Sequence, residues 1–313
     1  MSVDGRGSAF ASAMVSFAFA LTLAGCRSGH DGDASARAAR ADHDDRDHAV
    51  TEPQALTSLP SAVPTYPWHP RSSERLDARF APPPGFVRVP LADGSFGAFL
   101  RALPLLPAAT PVVDYRGSVV RAADDPRVAA VVDIDVGQSD LQQCADAVLR
   151  MNAEWRYGRG DRDIAYPIAS GAVLSYPKYL AGERALEKGP QMSAAAAADS
   201  HRVFRAYLDE VFAWANTASL QHGSAPAPFV DVQPGEFFVM AGRPFGHAVL
   251  VLDVARHGDG RVALLLGQSY MPAQSFHVLA GAEGAWFVVT SGAAGVETPF
   301  WRLFPLSALR RLP

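Results

Sequence analysis

An α+β domain, papain-like in layout with helices packed on a C-terminal antiparallel sheet, is the fold this sequence predicts. Three observations carry it. A β-branched run, "VAAVVDIDVG" (128–137), leads into a stretch whose apolar residues recur at helical spacing. A second helical stripe fills 200–220. From residue 235 onward the chain reads as strand after strand, with one unmistakable hairpin. Helices first and an antiparallel sheet later is the α+β order.

Taken from the start, "GSAFASAMVSFAFALTLAGC" is an apolar run behind Arg6, the shape of a secretory leader, with the expected segment 1–25. Its end, Leu23-Ala24-Gly25-Cys26, resembles the lipobox of bacterial lipoproteins. The resemblance implies cleavage before Cys26 and a diacylglycerol on that thiol. Each buried methylene is worth ~0.8 kcal/mol, so two or more acyl chains anchor stably. The implied partner is a membrane, reached through the lipid, and the implied location is the cell envelope. Arg27 stands where Asp would mark inner-membrane retention, so in a Gram-negative cell the periplasmic or outer-membrane side is open to it.

Residues 26–75 read as a disordered tether. "HDGDASARAARADHDDRDHAV" has too little apolar content to offset its chain entropy, and "LPSAVPTYPWHP" adds prolines that stiffen the path. His30, His43 and His48 stand beside acidic residues there, a pattern that fits a solvated linker better than a metal site. The single globular domain is expected over 76–313.

Within it, Ser139 and Gln142 have the spacing of a capping box, so a helix is expected from Ser139 with Leu141, Cys144, Ala145, Val148, Leu149 and Trp155 on its buried face. "GRGDRD" stops it. The second helix is expected to start at the cap Ser200, with Val203, Phe204, Tyr207, Leu208, Val211 and Phe212 as its stripe. Strands are expected at 235–242, 246–255 and 261–270, the last two joined by "RHGDG". "SFHVLAG" and "AWFVVT" are two more.

Composition excludes several functions. The formal charge of −4 and the lack of any basic tract interleaved with aromatics exclude a nucleic-acid surface. There is no Cys-x-x-Cys, H-E-x-x-H, G-x-S-x-G or glycine-rich phosphate loop, so structural zinc, serine hydrolysis and nucleotide binding lose their usual signals, and no cofactor is expected. Asp133 and Asp135 share a strand face and would need a third oxygen ligand to hold a cation; a solvated or capping pair is the commoner origin of such spacing.

The sequence holds two cysteines. With Cys26 acylated, Cys144 has no intramolecular partner, and in an envelope protein an odd cysteine points to a reactive thiol or an intermolecular bond. On an apolar stripe it also fits a small core residue. Thiol hydrolysis needs an imidazole base and a polar group to orient it. His247 opens the first strand of the hairpin. A turn centred near Gly258 places residue 247 opposite about 270, so Gln268 is one diagonal step away, close enough for amide and imidazole to meet. His277 is a competing imidazole.

The order Cys144, His247, Gln268 resembles the papain-like superfamily: "GHAVLVLDV…LLGQSY" is similar to the "HAV…NSW" stretch, with Gln268 where Asn is usual. The resemblance implies Gln138, six residues before Cys144, as oxyanion donor. "VQPGEFFV" followed by "GHAVLVLD" is similar to the strands of NlpC-type cell-wall peptidases, which implies peptide or amide bonds of the envelope, peptidoglycan included, as substrate. "DLQQCADAVLRMNAEW", "PGEFFV", "GHAVLVLDVA" and "QSYMPAQSFHVL" together resemble the uncharacterised bacterial lipoprotein family known as domain of unknown function 4846, over most of 80–305. The expected function is an envelope-anchored thiol amidohydrolase or peptidase. The alternative is a non-catalytic envelope-binding lipoprotein in which Cys144 only packs.

Overall fold

The long hairpin organises the molecule. The computed structural model describes residues 66–242, 245–290 and 292–313; the expected leader, Cys26 and the tether histidines lie outside the described residues. The six helices among the described residues are α1 (Leu76–Arg79), α2 (Phe96–Arg101), α3 (Cys144–Gly158), α4 (Tyr176–Ala181), α5 (His201–Trp214) and α6 (Thr217–His222). None is long and apolar enough to cross a membrane.

The nine-stranded sheet is antiparallel throughout. In chain order its strands are β1 (Phe86–Arg88), β2 (Val128–Val131), β3 (Ala225–Pro226), β4 (Phe237–Met240), β5 (His247–His257), β6 (Val262–Gln268), β7 (His277–Leu279) and β8 (Trp286–Val289). Beyond a separate ribbon, β9 (Gly295–Thr298) with β10 (Trp301–Pro305), comes the last, β11 (Leu309–Arg311). The spatial order is β2-β7-β6-β5-β4-β11-β3, with β1 on the far end of β5 and β8 on the far end of β6. Strand alternation sorts β5 between two cores. Ala248, Leu250 and Leu252 pack in the layer that contains α3 and α5, whereas Val249, Val251 and Val254 pack with Phe238, Leu264, Leu266 and Phe304.

The hairpin differs from the expected one by a partly compensated slip. Pairing starts at Arg256↔Val262, which centres the turn at Asp259, one residue later than expected. Leu252 is then skipped as a bulge, and pairing resumes at Val251↔Leu266 and Leu250↔Gly267. The later turn moves every partner by two residues and the bulge takes one back, so the register extended from Leu250↔Gly267 puts His247 opposite Tyr270, within a residue of the expected place. Buried Asp253 beside the bulge accepts from Arg88 Nε at 2.7 Å and from Arg101 Nε at 2.8 Å, fastening β1 and α2 to the hairpin.

Four expectations on element limits need correction. The fold begins before residue 76: Tyr66 is buried against Phe99, Trp68 Nε1 donates to the Asp133 carbonyl at 2.7 Å, and Ser72 N–H donates to the Asp133 carboxylate at 2.7 Å. The aromatic rings of "TYPWHP" outweigh its prolines. The strand from 128 stops at Val131, because the Asp133 carboxylate turns to those N–H donors. The first helix starts at Cys144, not Ser139. Gln142 is drawn into the core to accept from the buried Arg150 at 2.8 Å and cannot cap; Gln143 is the cap, and Asp146 at the third position accepts its backbone N–H at 3.0 Å. The second helix, capped by Ser200 as expected, ends at Trp214, and Asn216 caps the new helix α6 by accepting from Ser219 N–H at 2.9 Å.

Candidate active site

Three side chains on neighbouring strands form one directed hydrogen-bond chain. His247 Nε2 lies 2.7 Å from Gln268 Oε1; Gln268 Nε2 lies 3.4 Å from His277 Nε2; His277 Nδ1 lies 2.9 Å from the Ser275 carbonyl. The Ser275 carbonyl only accepts, so His277 Nδ1 carries a proton and its Nε2 takes one from the Gln268 amide. Gln268 is thereby oriented with Oε1 toward His247, which must donate from Nε2. The basic atom of the neutral His247 ring is therefore Nδ1. Burial lowers both imidazoles to about 4, so both are neutral at pH 7. Tyr270, Trp301 and Phe304 enclose the His247 ring, at centroid distances of 4.9, 5.4 and 6.0 Å.

Cys144 arrives from the helix layer. It is the first residue of α3, where the unpaired N–H groups of the helix are concentrated, rather than the fourth or fifth position that a start at Ser139 implies. Burial nevertheless pushes its thiol up to about 11, against the opposing pull of the Ala248 backbone N–H. That N–H belongs to the peptide joining His247 to Ala248. The sulfur thus meets the chain at the residue bond that carries the imidazole, although ring and thiol approach it from different layers and the ring's hydrogen bond goes to Gln268. Ser269 fixes this approach: its Oγ reaches the Gln142 carbonyl at 2.9 Å and the Gln274 carbonyl at 2.7 Å, clamping the entry of α3 to the end of β6.

Cys144 lines a cavity of about 370 Å³ together with Asp146, Asn216, Thr217, Phe245 and Met271. Phe245, 61% exposed, forms an apolar lip. A Cβ on Gly246 would run into Thr217 Oγ1 and the Met240 carbonyl, so only glycine lets α6 and β4 close on the start of β5. On the other layer, Tyr270, Phe300 and Trp301 line a wider cavity of about 810 Å³.

The structure therefore joins His247 to Gln268, brings Cys144 to the neighbouring peptide, and leaves Gln138 out. Gln138 is exposed on the loop before α3 and is not among the residues lining the cavity of Cys144, because the late helix start turns it outward. His277, expected as a rival imidazole, is instead the anchor of Gln268. Asp133 and Asp135 are engaged separately, the first by the backbone of Ser72 and the second by Arg150 and Arg205 at 3.0 and 3.4 Å. Among the described residues no three His, Cys, Asp or Glu side chains gather as metal ligands. Asp146, which sequence reading overlooked, had one signal: it follows a small residue at the third position of an acceptable helix start.

The family described as Domain of unknown function (4846) matches residues 76–311, from α1 through β11. The chain belongs to that family. The match spans every strand of the DUF4846 sheet as well as Cys144, His247 and Gln268. No curated protein and no solved structure matches the chain.

Proposed function

We propose that this DUF4846 protein is a thiol acyl hydrolase, an amidohydrolase or peptidase of papain-like layout, held at the cell envelope by a lipid on Cys26. The observation that carries the reading is the meeting of Cys144, at a helix start, with the peptide of His247, whose free ring nitrogen is fixed by the Gln268–His277–Ser275 chain. With the thiol raised and the ring lowered, the resting pair is neutral on both sides. A preformed thiolate is not the nucleophile. The ring lies on the Tyr270–Trp301 side of β5 and the sulfur on the α3 side, so the proposal has Sγ attack while water relays its proton round the start of β5 to His247 Nδ1, and the same nitrogen later returns a proton to the leaving amine. Envelope peptide or amide bonds, peptidoglycan stem peptides among them, are the proposed substrates, on the strength of the leader and of the likeness to NlpC-type strands.

The test uses the full chain carrying Cys26→Ser, which leaves Cys144 as its single thiol. Treated with 4-nitrophenyl acetate at pH 7, it gains one acetyl group on Cys144, located by peptide mass spectrometry. Adding His247→Ala slows that acetylation by about a hundredfold, the usual scale of general-base assistance. A second reading has its own observation: both the thiol and the imidazole are buried, as in a non-catalytic envelope-binding domain with a packing cysteine. Acetylation at the same rate with and without His247 favours that reading and ends the first.

A further inference from the structure

With Gln138 outside the cavity, the site needs another donor for the oxygen of a carbonyl under attack. Of the polar side chains that line the cavity, Asp146 follows Cys144 on the same helix turn and has a buried oxygen left unpartnered. It lines the cavity beside Cys144, is only 6% exposed, and its Oδ1 is buried without any hydrogen-bond partner. Its Oδ2 is already committed, accepting the Gln143 backbone N–H at 3.0 Å. We propose that Asp146 acts as a neutral carboxyl and donates from Oδ1 to the carbonyl oxygen of the acyl group attacked by Cys144, the part expected of Gln138.

The inference rests on the thiol-hydrolase reading and adds the oxyanion donor to it. The assignment of the proton follows from geometry. A carboxyl whose Oδ2 accepts from a backbone N–H carries its hydrogen on the other oxygen, so the neutral form has an unpartnered Oδ1–H in the cavity wall, which the attacked carbonyl oxygen would have to reach. Burial raises this carboxyl to about 8, above the pull of the Gln143 and Asp146 backbone N–H groups, which keeps it neutral through pH 7. An apolar site that holds a carboxylic acid neutral so that it can donate to an oxyanion is a known physical solution. A charged carboxylate here would repel the developing oxyanion.

The step balances without a co-reactant. The Sγ–C bond forms, the carbonyl π pair moves onto oxygen, and the thiol proton is relayed by water to His247 Nδ1 on the other side of β5. Asp146 keeps its proton and lends a hydrogen bond. When the intermediate collapses, the bond to the leaving amine breaks and the imidazolium proton passes to that amine. Among the described residues Cys144 is the other titratable side chain lining the cavity, with His247 across the 247–248 peptide.

The experiment follows Cys144 acetylation by 4-nitrophenyl acetate in the full Cys26→Ser chain from pH 6 to 9. Asp146→Asn keeps an acceptor for Gln143 N–H and places an amide N–H where Oδ1–H stood. It should acetylate within about threefold of the parent at pH 7 and keep its rate above pH 8, where the parent loses the donor by ionising. Asp146→Ala should fall about a hundredfold, the scale of one lost oxyanion donor. Thermal melting of each variant confirms that it is folded. If Asp146→Asn is as slow as Asp146→Ala while the parent is acetylated, a carboxylate is required and the donor role is overturned alone. If the folded parent is not acetylated on Cys144 at all, the hydrolase reading and the donor role fall together.

Discussion

The Ser275 carbonyl can only accept a hydrogen bond, and that one constraint sets the protonation of two imidazoles and the orientation of an amide. His277 is accordingly a positioning residue that acts through Gln268. Replacing it with Phe removes the acceptor that orients the amide; with one hydrogen bond worth ~1 kcal/mol, acetylation of Cys144 should slow about fivefold while the thiol's own alkylation by iodoacetamide is unchanged. The same burial has a cost in acid. Both ring pKa values lie below the unfolded value of 6.5, so the unfolded chain binds more protons in the window between 6.5 and about 4. Stability from these two rings is present above pH 6.5 and is lost as the pH falls toward 4, which thermal melts from pH 7 to 4 will register. Asp146 carries the opposite sign. Its folded pKa is raised to about 8, so folding opposes its ionisation and stability declines as pH rises from 4 to 8. Asp146→Asn should therefore melt higher than the parent at pH 8 and nearly level with it at pH 4.5. In the sequence, Cys144 and His247 stood out as candidates because thiol and imidazole are rare and chemically specific. Asp146 did not, since an acid in the first turn of a helix is ordinary until its burial and its unpartnered oxygen are known.

Among elements, the β5–β6 hairpin decides whether amide and imidazole meet at all. Its register was legible because a short glycine-bearing turn between two apolar runs fixes pairing to within a residue, and side-chain alternation carries that precision along the strands. The bulge at Leu252 was not legible; it arises where Asp253 must be turned inward to its two arginines. Asp253→Ala leaves Arg88 and Arg101 facing a buried void and should destabilise the fold by about 3–5 kcal/mol in urea unfolding. Gly267, beside the bulge on the partner strand, faces Leu252 Cδ1 and Phe276 Cε1, each 2.7 Å from where a Cβ would stand. The observed cap of α3, Gln143, lies four residues after the expected one, Ser139, for a reason of the same kind. Its apparent capping glutamine, Gln142, has a buried guanidinium to satisfy, and a long-range need overrides a local motif.

For the whole molecule, two layers share one sheet, and the candidate chemistry lies at the strand ends where the layers meet. The α3 layer supplies the sulfur and the carboxyl; the β9–β10 layer supplies the aromatic cover of the imidazole. The α+β class and the order of the major elements were readable from periodicity, whereas the β9–β10 ribbon and the packing of residues 66–75 depend on contacts that no local pattern encodes. From the proposed lipid on Cys26, Cys26→Ser should abolish metabolic labelling with palmitate and move the protein from the membrane to the soluble fraction. The central claim, that Cys144 is a nucleophile served by His247, is tested most directly by the rate of acetyl transfer from 4-nitrophenyl acetate to Cys144 in chains with and without that imidazole. Acetylation confined to Cys144 and slowed about a hundredfold by His247→Ala is the predicted result. Equal rates in the two chains, or no acetyl on Cys144, would contradict it.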